Sequence, residues 1–188
     1  MRVLTSILTL LLPVAVLPAA AAAQGAPKSE VAVTYNWVHT NAPPAECGCF
    51  SANGGSASYA YRFLPSFKLV GEVGAVTQGN VNSTGYDLTL WNFLAGGRYT
   101  LRNHSRVKPF GQALFGIAHT TGSLSPGEIG LGSSTSFAMS AGGGLDINLS
   151  PHVALRAAQA DYLLTLLPNR TNDHQNNIRV SAGIVFRF

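Results

Sequence analysis

Charge, cysteine and helix-period apolar stripes are all scarce in this 188-residue chain. Only 11% of the residues are charged, and twelve Lys and Arg against eight Asp and Glu leave a formal charge of +4. The cations are scattered from Arg2 to Arg187 with no run among them, which excludes a nucleic-acid-binding arm. Disorder is excluded because hydrophobic residues reach 46% and aromatics 9%, too apolar a mix to stay solvated. Signatures of catalysis are missing too: neither G-x-S-x-G nor H-E-x-x-H nor a P-loop occurs. The two cysteines, Cys47 and Cys49, lack the nearby histidines that would complete a zinc site. No metal or cofactor is therefore expected, and the length fits a single domain.

The N-terminus carries an export signal. Met1-Arg2 gives a short positive start, Val3 to Leu17 an apolar stretch interrupted by Pro13, and Ala21-Ala22-Ala23 a small-residue cleavage site. The apolar stretch is short of the ~20 residues of a spanning helix, so residues 1–23 read as a cleavable signal peptide and residues 24–188 as the mature domain. In an oxidising compartment the Cys47-Gly48-Cys49 stretch makes either a tight, strained loop disulfide or a reactive pair.

Alternation of period two recurs through the mature chain, broken by clusters of Gly, Pro, Asn and Ser. At the end of the chain Ile178, Val180, Ala182, Ile184, Phe186 and Phe188 oppose Arg179, Ser181, Gly183, Val185 and Arg187. Near the beginning Val31, Val33, Tyr35 and Trp37 alternate with Ala32, Thr34 and Asn36. Six further strands are predicted near 55–63, 67–77, 88–101, 108–120, 136–149 and 152–165. Two registers are ambiguous. An inward Gln112 carries Phe110 and Leu114 inward with it, and Arg156 differs in parity from Gln159 and Asp161 unless a bulge intervenes.

Connections alternate in length. Short links are predicted at 64–66, 102–106 and 150–151, and longer ones at 39–54, 78–87, 121–135 and 166–177. Eight strands with this rhythm predict an all-β, antiparallel up-and-down transmembrane β-barrel with long external loops. The competing reading is a soluble, lipocalin-like carrier with the same apolar face turned inward. Two features favour the membrane: the opposite face is mostly Gly, Ser, Ala and Asn with a few charges, and the aromatics fall at two levels. Phe63, Phe67, Tyr99, Phe186 and Phe188 lie near the short links, and Trp37, Trp91, Phe137 and Tyr162 near the long ones.

The signal sequence, the eight alternating segments and the ending Ile184-Val185-Phe186-Arg187-Phe188 resemble the OmpA/OmpX-type small outer-membrane β-barrel family. Lys108-Pro109-Phe110-Gly111-Gln112, Gly142-Gly143-Gly144-Leu145-Asp146 and the stretch from Arg156 through Gln159 to Asp161-Tyr162 share the likeness. The resemblance implies an outer-membrane location, contact with lipid and lipopolysaccharide, and a C-terminal signal, Phe186 and Phe188, read by the barrel-assembly machinery.

Inside such a barrel, Glu72, Arg98, Asp146, Arg156, Asp161 and Arg179 are expected to form an ion-pair network, because an unpaired buried charge costs several kcal/mol. The network acts as a plug, or else as a gate to a very narrow pore. The expected role is that of a monomer serving envelope integrity, surface adhesion or narrow conduction. The enzymatic alternative is a barrel that modifies lipid A or phospholipid, with His119 and Ser123 as its best residues. None of the five histidines is followed two positions later by serine, as the deacylase barrels would require. The remaining long-link histidines, His39 and His174, read as solvent-facing.

Overall fold

The computed structural model describes residues 27–41, 49–83, 85–124, 129–168 and 173–188. Eight strands are present: β1 (Ser29–Asn41), β2 (Phe50–Arg62), β3 (Phe67–Gln78), β4 (Tyr86–Thr100), β5 (Val107–Leu124), β6 (Ile129–Asn148), β7 (Val153–Thr165) and β8 (Gln175–Arg187). Each pairs antiparallel with its sequence neighbours, and β1 pairs with β8, so the sheet closes into an up-and-down barrel. Closure leaves no edge along the shared height, as a hydrocarbon surrounding requires. No helix among the described residues is long and apolar enough to cross a membrane.

Period-two patterning explains which way each face turns. Trp91 is 42% exposed and Ile184 46%, whereas Arg98 is 1% and Asp146 4% exposed. The bulky alternate residues therefore point away from the barrel and the charged ones into it, which rules out the soluble carrier. A water-soluble barrel would bury the first set and solvate the second. Outward aromatics mark the two rims. Phe63, Tyr99, Phe186 and Phe188 lie exposed at the short-turn end, and Trp37, Trp91, Phe137 and Tyr162 at the other. Phe67 is only partly exposed, because its ring lies across Gly97, where a Cβ would come within 2.6 Å of it.

Both ambiguous registers are resolved. Phe110, Gln112 and Leu114 all face inward, with Phe115 and Ile117 outward. In β7 a bulge does intervene: Arg156 pairs with Gly183 and Gln159 with Ser181, so the exposed Ala157 and Ala158 together span the place of one residue on β8. The extra residue resets the parity, and Arg156, Gln159 and Asp161 all reach the lumen.

Strand lengths differ from expectation on the long-link side. The predicted links 39–54 and 121–135 shorten to 42–49 and 125–128, because β2 begins at Phe50 and the β5–β6 hairpin runs to Leu124 and back from Ile129. Glycine, serine and threonine there resemble a loop in composition, yet continue the ladder from Ala118↔Ser136 to Thr121↔Ser133. A membrane-spanning strand needs roughly 9–11 residues, so the 20 residues of β6 project well past the hydrocarbon. The register between β6 and β7 stops at Ala138↔Thr165, with one further bond from Leu166 N–H to the Phe137 carbonyl, so the ladder formed by residues 129–136 is with β5 alone.

Candidate functional site

Lumen side chains arise from one parity on every strand, and their chemistry changes along the axis. On the short-turn side lie the charges. Arg179 of β8 donates from Nη1 to Glu72 Oε1 of β3 at 2.5 Å and from Nη2 to Asp161 Oδ2 of β7 at 2.8 Å. Arg156 of β7 grips Asp146 of β6 with two nitrogens, Nε to Oδ1 at 2.9 Å and Nη2 to Oδ2 at 3.2 Å. Two amides join these pairs. Gln159 accepts from Arg156 at 3.1 Å and donates to Asp161 at 2.6 Å. Gln112 donates to Asp161 at 3.3 Å and accepts twice from Arg98, at 3.0 and 2.8 Å.

Five of the six residues expected in the network, Glu72, Asp146, Arg156, Asp161 and Arg179, thus form ion pairs. Arg98 departs from the expectation, since among the described residues it makes no salt bridge. It lies directly across from Gln112 in the β4–β5 register and is tied to the acids through that amide. Its guanidinium also rests on the Phe110 ring, 4.8 Å from the centroid, and that of Arg156 lies 4.6 Å from the same centroid. One aromatic ring therefore contacts two cations, a favourable use of its quadrupole in a desolvated place. Glycine makes room for it. A Cβ on Gly144 would lie 2.9 Å from the Phe110 ring, and one on Gly142 would lie 2.5 Å from Asp161 Oδ1.

Sequence reasoning missed a second ionic group at the short-turn mouth. Glu30 Oε1 accepts from Lys68 Nζ at 2.7 Å and from Arg187 Nε at 2.9 Å, and Arg187 also reaches Asn148 at 2.5 Å. The signal was present in parity: Lys68 shares the face of Glu72, and Arg187 that of Arg179. Apart from Leu114, the apolar filling nearer the long connections was also missed. Val38, Ala52, Val76, Leu90, Leu94, Leu114, Ala118, Ala138 and Leu163 belong to one buried cluster, which Ala60 and Val70 extend past Glu72 toward the short turns, and Leu114 is fully inaccessible. On β4, β5 and β7 these residues lie toward the long connections relative to Arg98, Gln112 and Asp161.

The remaining expected sites do not converge. Cys47 lies outside the described residues, and Cys49 is exposed. His119 Nδ1 is 2.7 Å from Thr135 Oγ1 on the outer wall, and the side chain of Ser123, its expected partner, is outside the described set. His39 sits 3.1 Å from Ser51 and stacks on Trp37. No group of three or more His, Cys, Asp or Glu among the described residues is placed to hold a metal. Phe188 bonds through its backbone to Lys28 and Ser29, completing the β1–β8 seam.

This arrangement has counterparts among solved structures. Neisserial surface protein A is similar at 18% identity and a TM-score of 0.69, over 88% of this chain and all of that one. Ail, the attachment invasion locus protein of Yersinia pestis, is similar at 18% identity and a TM-score of 0.60, over 87% of this chain and all of that one. OprG, an outer membrane protein of Pseudomonas aeruginosa, is similar at 12% identity and a TM-score of 0.50, over 87% and 96%. These likenesses concern the fold. A comparison with curated protein sequences finds no match. The family described as outer membrane protein beta-barrel domain matches residues 9–186, so the chain belongs to that family and its place is the outer membrane.

Proposed function

We propose that this protein is a closed, non-conducting barrel with a structural or adhesive task, exposing its long-connection end to the outside, and that it is not an enzyme. The observation that carries this reading is the double filling of the lumen: Arg98, Arg156 and Arg179 are each 1% exposed, and Leu114 beyond them is 0% exposed. A path for ions would have to part both the charge network and the apolar cluster, among which the buried Asn36, Asn92 and Asn177 are interspersed. Narrow eight-stranded barrels have interiors that side chains suffice to fill.

The rest of the reading concerns assembly and setting. Residues 1–23 are the cleaved export signal. The outward Phe186 and Phe188 are what the barrel-assembly machinery reads, and the mature chain is a monomer surrounded by phospholipid and lipopolysaccharide. Against catalysis stands His119, which is engaged by Thr135 and has no acid within the groups described for it. Ail has been solved with the heparin analogue sucrose octasulfate. That ligand is not carried over, because the described residues at the long-connection end include Asp87 and Asp173 but no lysine or arginine.

Planar-bilayer recording tests the closed barrel. The parent protein and Glu72→Ala are both expected to leave the membrane at its baseline. Stepwise currents from the parent would overturn the closed reading, and currents from Glu72→Ala alone would make the network a gate. An unaltered lipid A acyl pattern in expressing cells is the expected outcome for a non-enzyme.

A further inference from the structure

Charge is distributed unevenly along the barrel axis. The spanning interior holds Arg98, Arg156 and Arg179 with Glu72, Asp146 and Asp161, and is balanced. The short-turn end holds Lys28, Arg62, Lys68, Arg102, Arg106, Lys108 and Arg187 with a single acid, Glu30. These cations do not merely decorate a rim. A cavity of about 650 Å³ opens there, lined by Arg62, Lys68, Arg102, Lys108 and Arg187 together with His104 and Glu30.

Within that cavity the single carboxylate is already committed. Glu30 Oε1 accepts from both Lys68 and Arg187. Among the described residues Lys108 meets only the neutral Asn103, at its carbonyl and side-chain oxygens, 2.5 and 3.1 Å away. Arg102 has no ion pair among the described residues. Thr100 lines the cavity, and its hydroxyl is buried without a partner among the described residues. Glu30 Oε2 is likewise buried and unpartnered among the described residues. Like charges gathered in a concave, low-dielectric mouth focus a positive potential and repel one another. An anion that enters gains that potential and relieves the repulsion.

We propose that this mouth is a binding vestibule for oxyanions of the phosphate class, and that it prefers a ligand carrying several phosphoryl groups. Arg102 and Lys108 are its principal contacts, because their charges are not spent on an acid. The volume lies within the usual range of a small-molecule site, roughly 300–1,000 Å³, and exceeds the needs of one phosphate. Two sources share this chemistry: a soluble oligophosphate entering along the axis, or the headgroup of an anionic phospholipid curling over the rim. The proposal goes beyond the closed-barrel reading. Only the assignment of this mouth to the periplasm depends on that reading; the binding itself does not.

Full-length mature protein in discs of phosphatidylcholine, titrated calorimetrically with tripolyphosphate, tests it. Saturable binding that weakens steeply with added salt is expected, together with a higher unfolding temperature. The double variant Arg102→Gln/Lys108→Gln should weaken that binding by about ten-fold or more, while Arg102→Lys/Lys108→Arg retains it. Heat-modified electrophoretic mobility confirms that both variants are folded. A parallel titration in discs containing phosphatidylglycerol separates the sources. Weaker apparent affinity there identifies the lipid headgroup as the resident ligand, and unchanged affinity identifies a soluble one. No binding by the parent, or equal binding by the parent and the Gln double variant, would overturn the proposal.

Discussion

The two halves of the lumen are both buried, but they resist perturbation for different reasons. Nearer the short turns, order comes from direction: guanidinium forks and amide bridges fix which strand faces which, and each partner left alone carries a large desolvation penalty. Nearer the long connections, Leu94, Leu114 and Leu163 are held by contact alone and carry no orientational demand. The comparison teaches that filling and specifying are separate tasks in this barrel.

Cutting the ionic half should do the most damage. Arg179→Met keeps the volume but leaves Glu72 and Asp161 buried without their cation, and is expected to lower stability by about 3–5 kcal/mol, read from urea unfolding in lipid vesicles. Adding Glu72→Gln and Asp161→Asn to that variant should recover most of the loss, since the penalty lies in unpaired charge. If the triple variant is as unstable as Arg179→Met, packing and not charge is what Arg179 supplies. Leu114→Ala comes next, at about 2–4 kcal/mol from lost contact and residual cavity, with no dependence on salt in the same assay.

Phe110→Leu probes the junction between the halves. It removes both cation contacts while keeping an apolar side chain, and about 1–2 kcal/mol is expected from that assay. His119→Ala on the outer wall should shift stability by no more than about 0.5 kcal/mol. A larger loss would assign the Thr135 contact an importance comparable to that of the lumen.

Much of the ionic half was legible in the sequence because a charge on the Gly/Ser/Asn face has one place to go. Parity alone put Glu72, Asp146 and Arg179 inside, and the parity conflict at Arg156 left either a bulge or one polar group turned away; the register places the bulge at Ala157 and Ala158. What parity could not give was partnership: that Arg98 meets an amide and a ring depends on the pairing of Arg98 with Gln112 and on the space left by Gly144. The apolar half was less legible, for a different reason. Leu94 and Leu114 sit between Phe93, Ala95, Ala113 and Phe115, so both faces are apolar there and alternation loses its contrast. The projecting β5–β6 hairpin was hidden by composition, because Thr120, Thr121, Ser133 and Ser134 serve a ladder as well as a loop.

The sequence separation of the buried partners bears on how the protein comes to exist. Arg179 and Glu72 are 107 residues apart, and Arg187 and Glu30 are 157 apart. Until β8 arrives, Glu72 and Asp161 lack the counter-ion they have in the closed barrel, and Glu30 has only Lys68. A half-built sheet would therefore carry stranded carboxylates into oil, a state with nothing to recommend it energetically. Biogenesis of this chain is driven toward a single terminal event, the meeting of first and last strands. Whatever shelters the growing intermediate must keep its inner wall wet until that meeting takes place.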